Sequence, residues 1–324
     1  MARSEGGLIS RLEINPAGIA ISFAVWLLPI ISLEFMWLQF FAPLPVFYYL
    51  SESSKDRGIN TLAAALLITG LTATLLGSAT GFFFSATMLP TGYILARSAA
   101  VEDSPIKSGG MAFIALLLGW SLWSLLYGVV NSASLYQDIL SSLDQGLIAA
   151  GKAFSESSDL PTEQALTLEI TVEKLRGLVP KIMPGLLMAT LANTVFFNMT
   201  LGQYLLNKKG KSAAPWPPFP EWRLPEKLVT VVIISGIFML MPGGFLQGIG
   251  FNLALLAASL YLFQGLAVLA TLLNKWQVPL SLRILIYLLV FFQAFGIIIL
   301  VVLGLADVWV DFRKDRNEPD NDIT

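Results

Sequence analysis

Seven stretches of the chain carry no Asp, Glu, Lys or Arg: 14–33, the shorter 35–51, 58–96, 108–130, 182–206, 228–274 and 284–306. Charged residues gather in short clusters between them. A helix of about 20 apolar residues crosses the hydrocarbon core of a bilayer. The pattern therefore predicts one span each in 14–33, 108–130, 182–206 and 284–306. Blocks 58–96 and 228–274 are long enough for two spans each, broken near GSATG (77–81) and MPGG (241–244). Segment 35–51, FMWLQFFAPLPVFYYLS, is short and carries Pro43 and Pro45, so it is either a kinked span or a re-entrant segment. The expected fold is an all-α polytopic membrane bundle of eight or nine spans. The even ten-residue alternation of a membrane barrel is missing.

The largest extramembrane part is 131–181, and it is patterned. Leu140, Leu143, Leu147, Ala150 and Phe154 recur at helical spacing, as do Leu168, Val172, Leu175 and Val179. With SESSDLP between them and Pro161 suited to a helix start, this predicts a helical hairpin with one apolar stripe per helix. The stripes pack on each other or on the membrane, or else the hairpin is a lid or docking arm. The organisation is then an N-terminal bundle (1–130), an extracytoplasmic insert (131–181), C-terminal spans (182–306) with a basic proline-rich loop (207–227), and a polar tail (307–324). Lys and Arg favour the cytoplasmic side, which assigns Arg3, Arg11 and the clusters at 52–57, 97–107 and 208–227 there. Arg313, Lys314 and Arg316 would prefer the same side, which an odd span count forbids. The side of the C-terminus stays open.

Composition narrows the chemistry. Lys and Arg number 20, Asp and Glu 22, and there is no His and no Cys. Thiol nucleophiles, Ser-His-Asp triads, His-ligated zinc and disulfides are excluded. The net charge of −2 gives no reason to expect nucleic acid. Gly210-Lys211-Ser212 ends like a phosphate loop, but Leu205 stands where that motif needs glycine. No cofactor, no metal and no enzymatic activity are expected.

Polar residues in or beside the spans are the remaining candidates, since polar groups in a bilayer are costly. Glu34 sits in a tight interfacial turn, or lines a cavity under the Pro43/Pro45 segment together with Gln39. Asn193 and Asn198 project about 140° apart on one helix, so one can glue helices while the other faces a ligand. Gln264 and Gln293 read as interhelical glue. Trp120 and Trp123 could stack on a flat ligand or pack in the core. Trp216, Trp222, Trp276 and Trp309 fall near span ends, as an interfacial aromatic belt would. Ala20 and Ala24 have the spacing that lets helix backbones approach in lipid, either inside this chain or on a partner. Gly18 and Ser22 form a neighbouring stripe.

The loop PPFPEWRLPEKLV (217–229), the stretches LYLFQGLAVL (260–269) and GLADVWVDFRK (304–314), and the early PLP (43–45) resemble the YybS-like family of predicted bacterial membrane proteins. That family is similar, distantly, to the S components of energy-coupling-factor vitamin transporters. The resemblance implies a multi-pass protein of the bacterial cytoplasmic membrane. It also implies a small-solute uptake subunit, with Ala20 and Ala24 meeting a separate energising transporter subunit. The rival expectation is a non-transporting assembly or regulatory scaffold that docks another membrane protein.

Overall fold

The computed structural model describes residues 13–157, 162–210, 216–242 and 244–313. Expectations resting on Arg3, Arg11, Pro161 and the turn before it, Lys211, Ser212, Gly243 and the tail from residue 314 lie outside the described residues. Among those described, every regular element is a helix. In order they are α1 (Pro16–Ile31), a 3-10 helix (Leu33–Phe41), α2 (Leu44–Glu52), α3 (Lys55–Leu75), α4 (Ala79–Ala86), α5 (Leu89–Ala100), α6 (Pro105–Asn131), α7 (Leu135–Ser157) and α8 (Thr162–Lys208). A 3-10 turn (Phe219–Glu221), α9 (Leu228–Leu240), α10 (Gly244–Lys275), α11 (Leu280–Phe292) and α12 (Ala294–Val310) follow.

Local signals explain several boundaries. Asn15 caps α1 by accepting from the Gly18 N–H at 3.1 Å, with Pro16 in the first turn. Ser104 caps α6 in the same way, ahead of Pro105. The break expected at 77–81 falls at Gly77, whose φ of +72° needs a glycine. Beyond it, however, lie two short helices, α4 and α5, where one was expected. Pro90 in the first turn of α5 lacks the N–H that would continue α4.

Segment 35–51 is no continuous helix: a 3-10 helix runs to Phe41, and α2 begins after Pro43. The span expected at 284–306 is also broken. Gln293 is extended, and α11 and the helix after it are bent by 103°.

Among the described residues, four helices are long and apolar enough to cross a membrane: α3, α6, α8 and α10. The bent α11–α12 pair makes a fifth if it is one span. The apolar α1 and α9 are shorter, at 16 and 13 residues. The insert is not separated from the span after it. α8 runs for 47 residues straight through position 181, with Pro180 and Pro184 inside it. At about 1.5 Å per residue it is roughly 70 Å long, against a hydrocarbon core of about 30 Å.

Contacts divide the chain into two units, one formed by Met1–Glu173 with Asn193–Trp216, the other by Lys174–Ala192 with Pro217–Thr324. In the first, Trp26, Phe47, Met88, Leu95 and Leu116 are buried. The Lys209 ammonium lies 3.5 Å from the Glu52 carboxylate, and the Trp216 indole N–H donates to the Asp103 carbonyl at 3.0 Å. Three of the clusters expected on one side of the membrane therefore meet at one end of this unit. On the insert, Val172 of α8 packs against α7 at Gly151. Leu147 and Leu168 are half-buried, whereas Leu143 and Phe154 are exposed, so within this unit the two stripes cover each other only in part.

In the second unit α10 and α12 cross at two glycines. A Cβ on Gly265 would lie 1.9 Å from the Leu300 carbonyl oxygen, and one on Gly304 would lie 2.1 Å from that of Tyr261. Arg313, just past α12, donates to the Pro220 and Trp222 carbonyls at 2.8 and 2.6 Å. This sets the C-terminal end of α12 at the same end of the unit as the 217–224 loop.

Because the chain has no Cys, single cysteines report sidedness directly. Cysteines at Lys55, Arg97 and Lys209 should respond alike to an impermeant thiol reagent in intact cells, all staying unlabelled. One at Asp311 should match one at Arg223. Labelling of one position in either set without the others would overturn the arrangement.

Candidate functional site

The first unit is organised around its irregular stretch, 33–43. A 3-10 helix closed by a proline segment leaves backbone carbonyls without intrahelical partners, and buried ones must find others. Two side chains supply them. The Trp26 indole N–H, buried, donates to the Ala42 carbonyl at 2.8 Å. The Asn198 amide, also buried, donates to the Phe40 carbonyl at 2.6 Å and to its own helix at Thr194 at 2.7 Å. Gln39 points the other way, exchanging hydrogen bonds of 3.1 Å with Ser85 and donating to the Met88 sulfur at 3.1 Å.

Ser85 is next to Phe84 on α4, and Phe84 joins the aromatic residues of α6. Its ring lies 5.7 Å from Trp120 and 5.8 Å from Trp123. The structure thus brings Gln39, Asn198, Trp120 and Trp123 around one short run of backbone and the eight-residue helix α4. Two atoms there are buried without a hydrogen-bond partner: Nε1 of Trp120, a donor, and Oδ1 of Asn198, an acceptor. Such atoms are uncommon in folded proteins. Trp120 is left with one unmet donor and Asn198 with one unmet acceptor.

The other expected residues lie apart from it. Glu34 is exposed in the first turn of the 3-10 helix. Asn193 is half-buried one turn and more before Asn198. On α1, Gly18 and Ser22 are buried while Ala20 is exposed and Ala24 half-buried. The inward stripe is therefore the neighbouring one, and Gly18 lies where a Cβ would be 2.8 Å from Thr61 Cγ2. Trp276 and Trp309 are exposed, as a belt requires. Trp216 is not: it is 5% exposed, packs on Phe47 at 5.8 Å, and accepts a hydrogen bond at its carbonyl from Gln203. Gln293 is exposed at the α11–α12 break. Gln264 is the expected glue, accepting from the Leu224 N–H and donating to Asp307, both at 3.0 Å.

Several residues that hold the structure together are not apparent from sequence pattern. Asp307 reads as the start of a polar tail, yet it lies within α12, with a side chain 1% exposed and paired with Arg313 at 2.8 Å. Asn252 reads as an ordinary span residue. Its amide accepts from the Gly185 N–H and donates to the Lys181 carbonyl, bridging the helical turn that contains Pro184. The available signal was weak in each case: a lone acid two residues before Trp309, and an asparagine inside an uncharged run. Outside the spans, the Lys107 ammonium 2.5 Å away, with Ser98 beside it, holds the Asp103 carboxyl below the usual carboxylate range.

The chain belongs to a family described as "Predicted membrane protein (DUF2232)", which matches residues 18–308. No curated protein and no solved structure matches it. The matched range includes the whole cluster around 33–43, and Asp307.

If Asn198 holds the irregular stretch, Asn198→Ala takes the side-chain donor away from the part-buried Phe40 carbonyl. That should cost about 1–3 kcal/mol. Gln293→Ala, at an exposed position, should change stability by less than about 0.5 kcal/mol. Unfolding in detergent measures both, and equal effects would show that Asn198 does not fasten the segment.

Proposed function

We propose that this chain is a multi-pass subunit of the bacterial cytoplasmic membrane that binds a small solute and works with a separate energising membrane protein. The observation that supports the reading is the gathering of Gln39, Asn198, Trp120 and Trp123, with one buried donor and one buried acceptor unpaired. Two indole faces suit a flat solute. Such a solute competes with Phe84, carried on a short helix between two breaks. The resemblance of 43–45, 217–229, 260–269 and 304–314 to the YybS-like family, and through it to S components, agrees with uptake. Eight or nine crossings, with 131–181 outside the cytoplasm, complete the proposal. No catalytic step, cofactor or metal is part of it.

One observation serves equally a second reading, a non-transporting scaffold. Ala20 is exposed while Gly18 and Ser22 pack inward, so α1 keeps a small-residue face for another membrane protein. Partner docking is common to both readings; solute retention separates them.

Native mass spectrometry of the protein released from membranes should find a bound small molecule. Trp120→Phe, which keeps the ring and loses the N–H, should retain less of it, and Trp309→Phe as much as wild type. A solute-free wild type favours the scaffold. Ala20→Trp should change stability by less than about 0.5 kcal/mol, because the position is exposed, and should abolish capture of a membrane partner. Undiminished capture would remove Ala20 from the docking face.

A further inference from the structure

The helix α6 changes character halfway along. Ser108, Ala112 and Leu116, four residues apart on one face, are buried. The same face continues through Trp120, Trp123, Ser124 and Tyr127, and all four are only half-buried. The opposite face, with Leu118, Leu122, Leu125 and Val129, is exposed, as a lipid-facing side is. Of the most apolar stretch of α6, 6% is buried, against 33%, 44% and 50% in α3, α8 and α10. The first unit therefore closes on α6 as far as Leu116 and opens along it beyond.

Two serines mark the difference between the faces. Ser121, on the exposed face, turns its hydroxyl back to the Leu117 carbonyl at 2.8 Å, which satisfies it in lipid. Ser124 makes no such bond. Neither its hydroxyl nor the Trp123 indole N–H has a hydrogen-bond partner among the described residues, and Nε1 of Trp120 beside them is buried and unpaired. Polar groups at membrane depth face the bundle interior or a water-filled cavity. At one end of this face Phe84 lies 5.7 and 5.8 Å from the two indoles. At the other the Tyr127 hydroxyl donates to Asp138 of α7 at 2.9 Å.

We infer that this face of α6, from Tyr127 to Trp120, lines a wet groove through which a flat solute reaches the cluster around Phe84. The inference rests on the solute reading above and adds the route and the kind of solute. The groove offers ring faces and the donors of two indoles and a hydroxyl. No Lys or Arg lies between 108 and 131, and Asp138 stands at the mouth. The solute that fits is therefore aromatic, carries hydrogen-bond acceptors at its edge, and is not an anion.

Single cysteines in the full, otherwise Cys-free chain test the groove, in lipid nanodiscs that leave both membrane faces open to water. The reactive form of a thiol is the thiolate, which needs water to form. Ser124→Cys, which barely changes the side chain's size, should react with (trimethylammonium)ethyl methanethiosulfonate about tenfold or more faster than Ser121→Cys on the lipid side. Equal rates would mean that lipid or protein fills the space, and would overturn the groove. Ser124→Trp fills it and should lose, in native mass spectrometry, the solute that wild type and Ser121→Trp keep. Retention by all three would overturn the route, and an aliphatic or anionic compound in the spectrum would overturn the solute class. A solute-free wild type would remove the solute reading and this inference with it. A retained solute, with Ser124→Cys no faster than Ser121→Cys, would remove the groove alone.

Discussion

Backbone polar groups inside a bilayer have no water to turn to, so a chain that interrupts its helices there must satisfy the freed groups from its own side chains. Most of the polar features of this protein follow from that constraint. Prolines and the 3-10 stretch interrupt the chain at 33–45, and Trp26 and Asn198 bind the carbonyls of Ala42 and Phe40. Pro184 interrupts α8, and Asn252 bridges the turn around it. The proline-rich segment at 217–224 has few backbone donors of its own, and Arg313, Thr271 and Gln264 serve it. Each unsatisfied group would cost about 1–3 kcal/mol. A few such positions therefore weigh heavily in a chain whose net stability is only about 5–15 kcal/mol.

What the sequence displays well is whatever depends on a running sum. Uncharged blocks report helices near the membrane because burial of each apolar side chain adds to the next. The break at Gly77 and the meeting of the basic clusters at one end of the first unit are of this kind. What it hides depends on single residues. The 103° bend at Gln293 interrupts a run whose composition does not change across it. Continuity through Pro180 and Pro184 was equally hidden, since a proline in a helix reads as an end unless a partner elsewhere bridges the turn. Here the partner is Asn252, 68 positions after Pro184 in the chain.

Asp307 shows why charge clusters mislead at a span's edge. Counted with the nine charges from 307 onward it belongs to a solvated tail. Its side chain is buried instead because α12 runs on to Val310 and Arg313 turns back to meet it. The same turn places the basic residue after the last helix beside the 217–224 loop. A helix pair where one span was expected gives the chain a way to bring both there.

Function has to be sought in what remains after the scaffold has taken its share of hydrogen bonds. A carboxamide has two donors and one acceptor oxygen. Asn252 uses all three groups, on Lys181, Gly248 and Gly185. Gln264 engages its oxygen with Leu224 and its nitrogen with Asp307. Asn198 gives both donors to carbonyls and leaves its oxygen buried and idle. The three residues have the same chemistry and similar surroundings, so residue type does not separate them; unspent bonding capacity does. That capacity sits in the same cluster as an idle indole N–H on Trp120, beside a second indole, which is why the solute reading rests on the first unit. In the second unit the idle atoms are the Tyr261 hydroxyl and one atom each of Asp307 and Arg313, a charge pair that already has its partner of opposite sign.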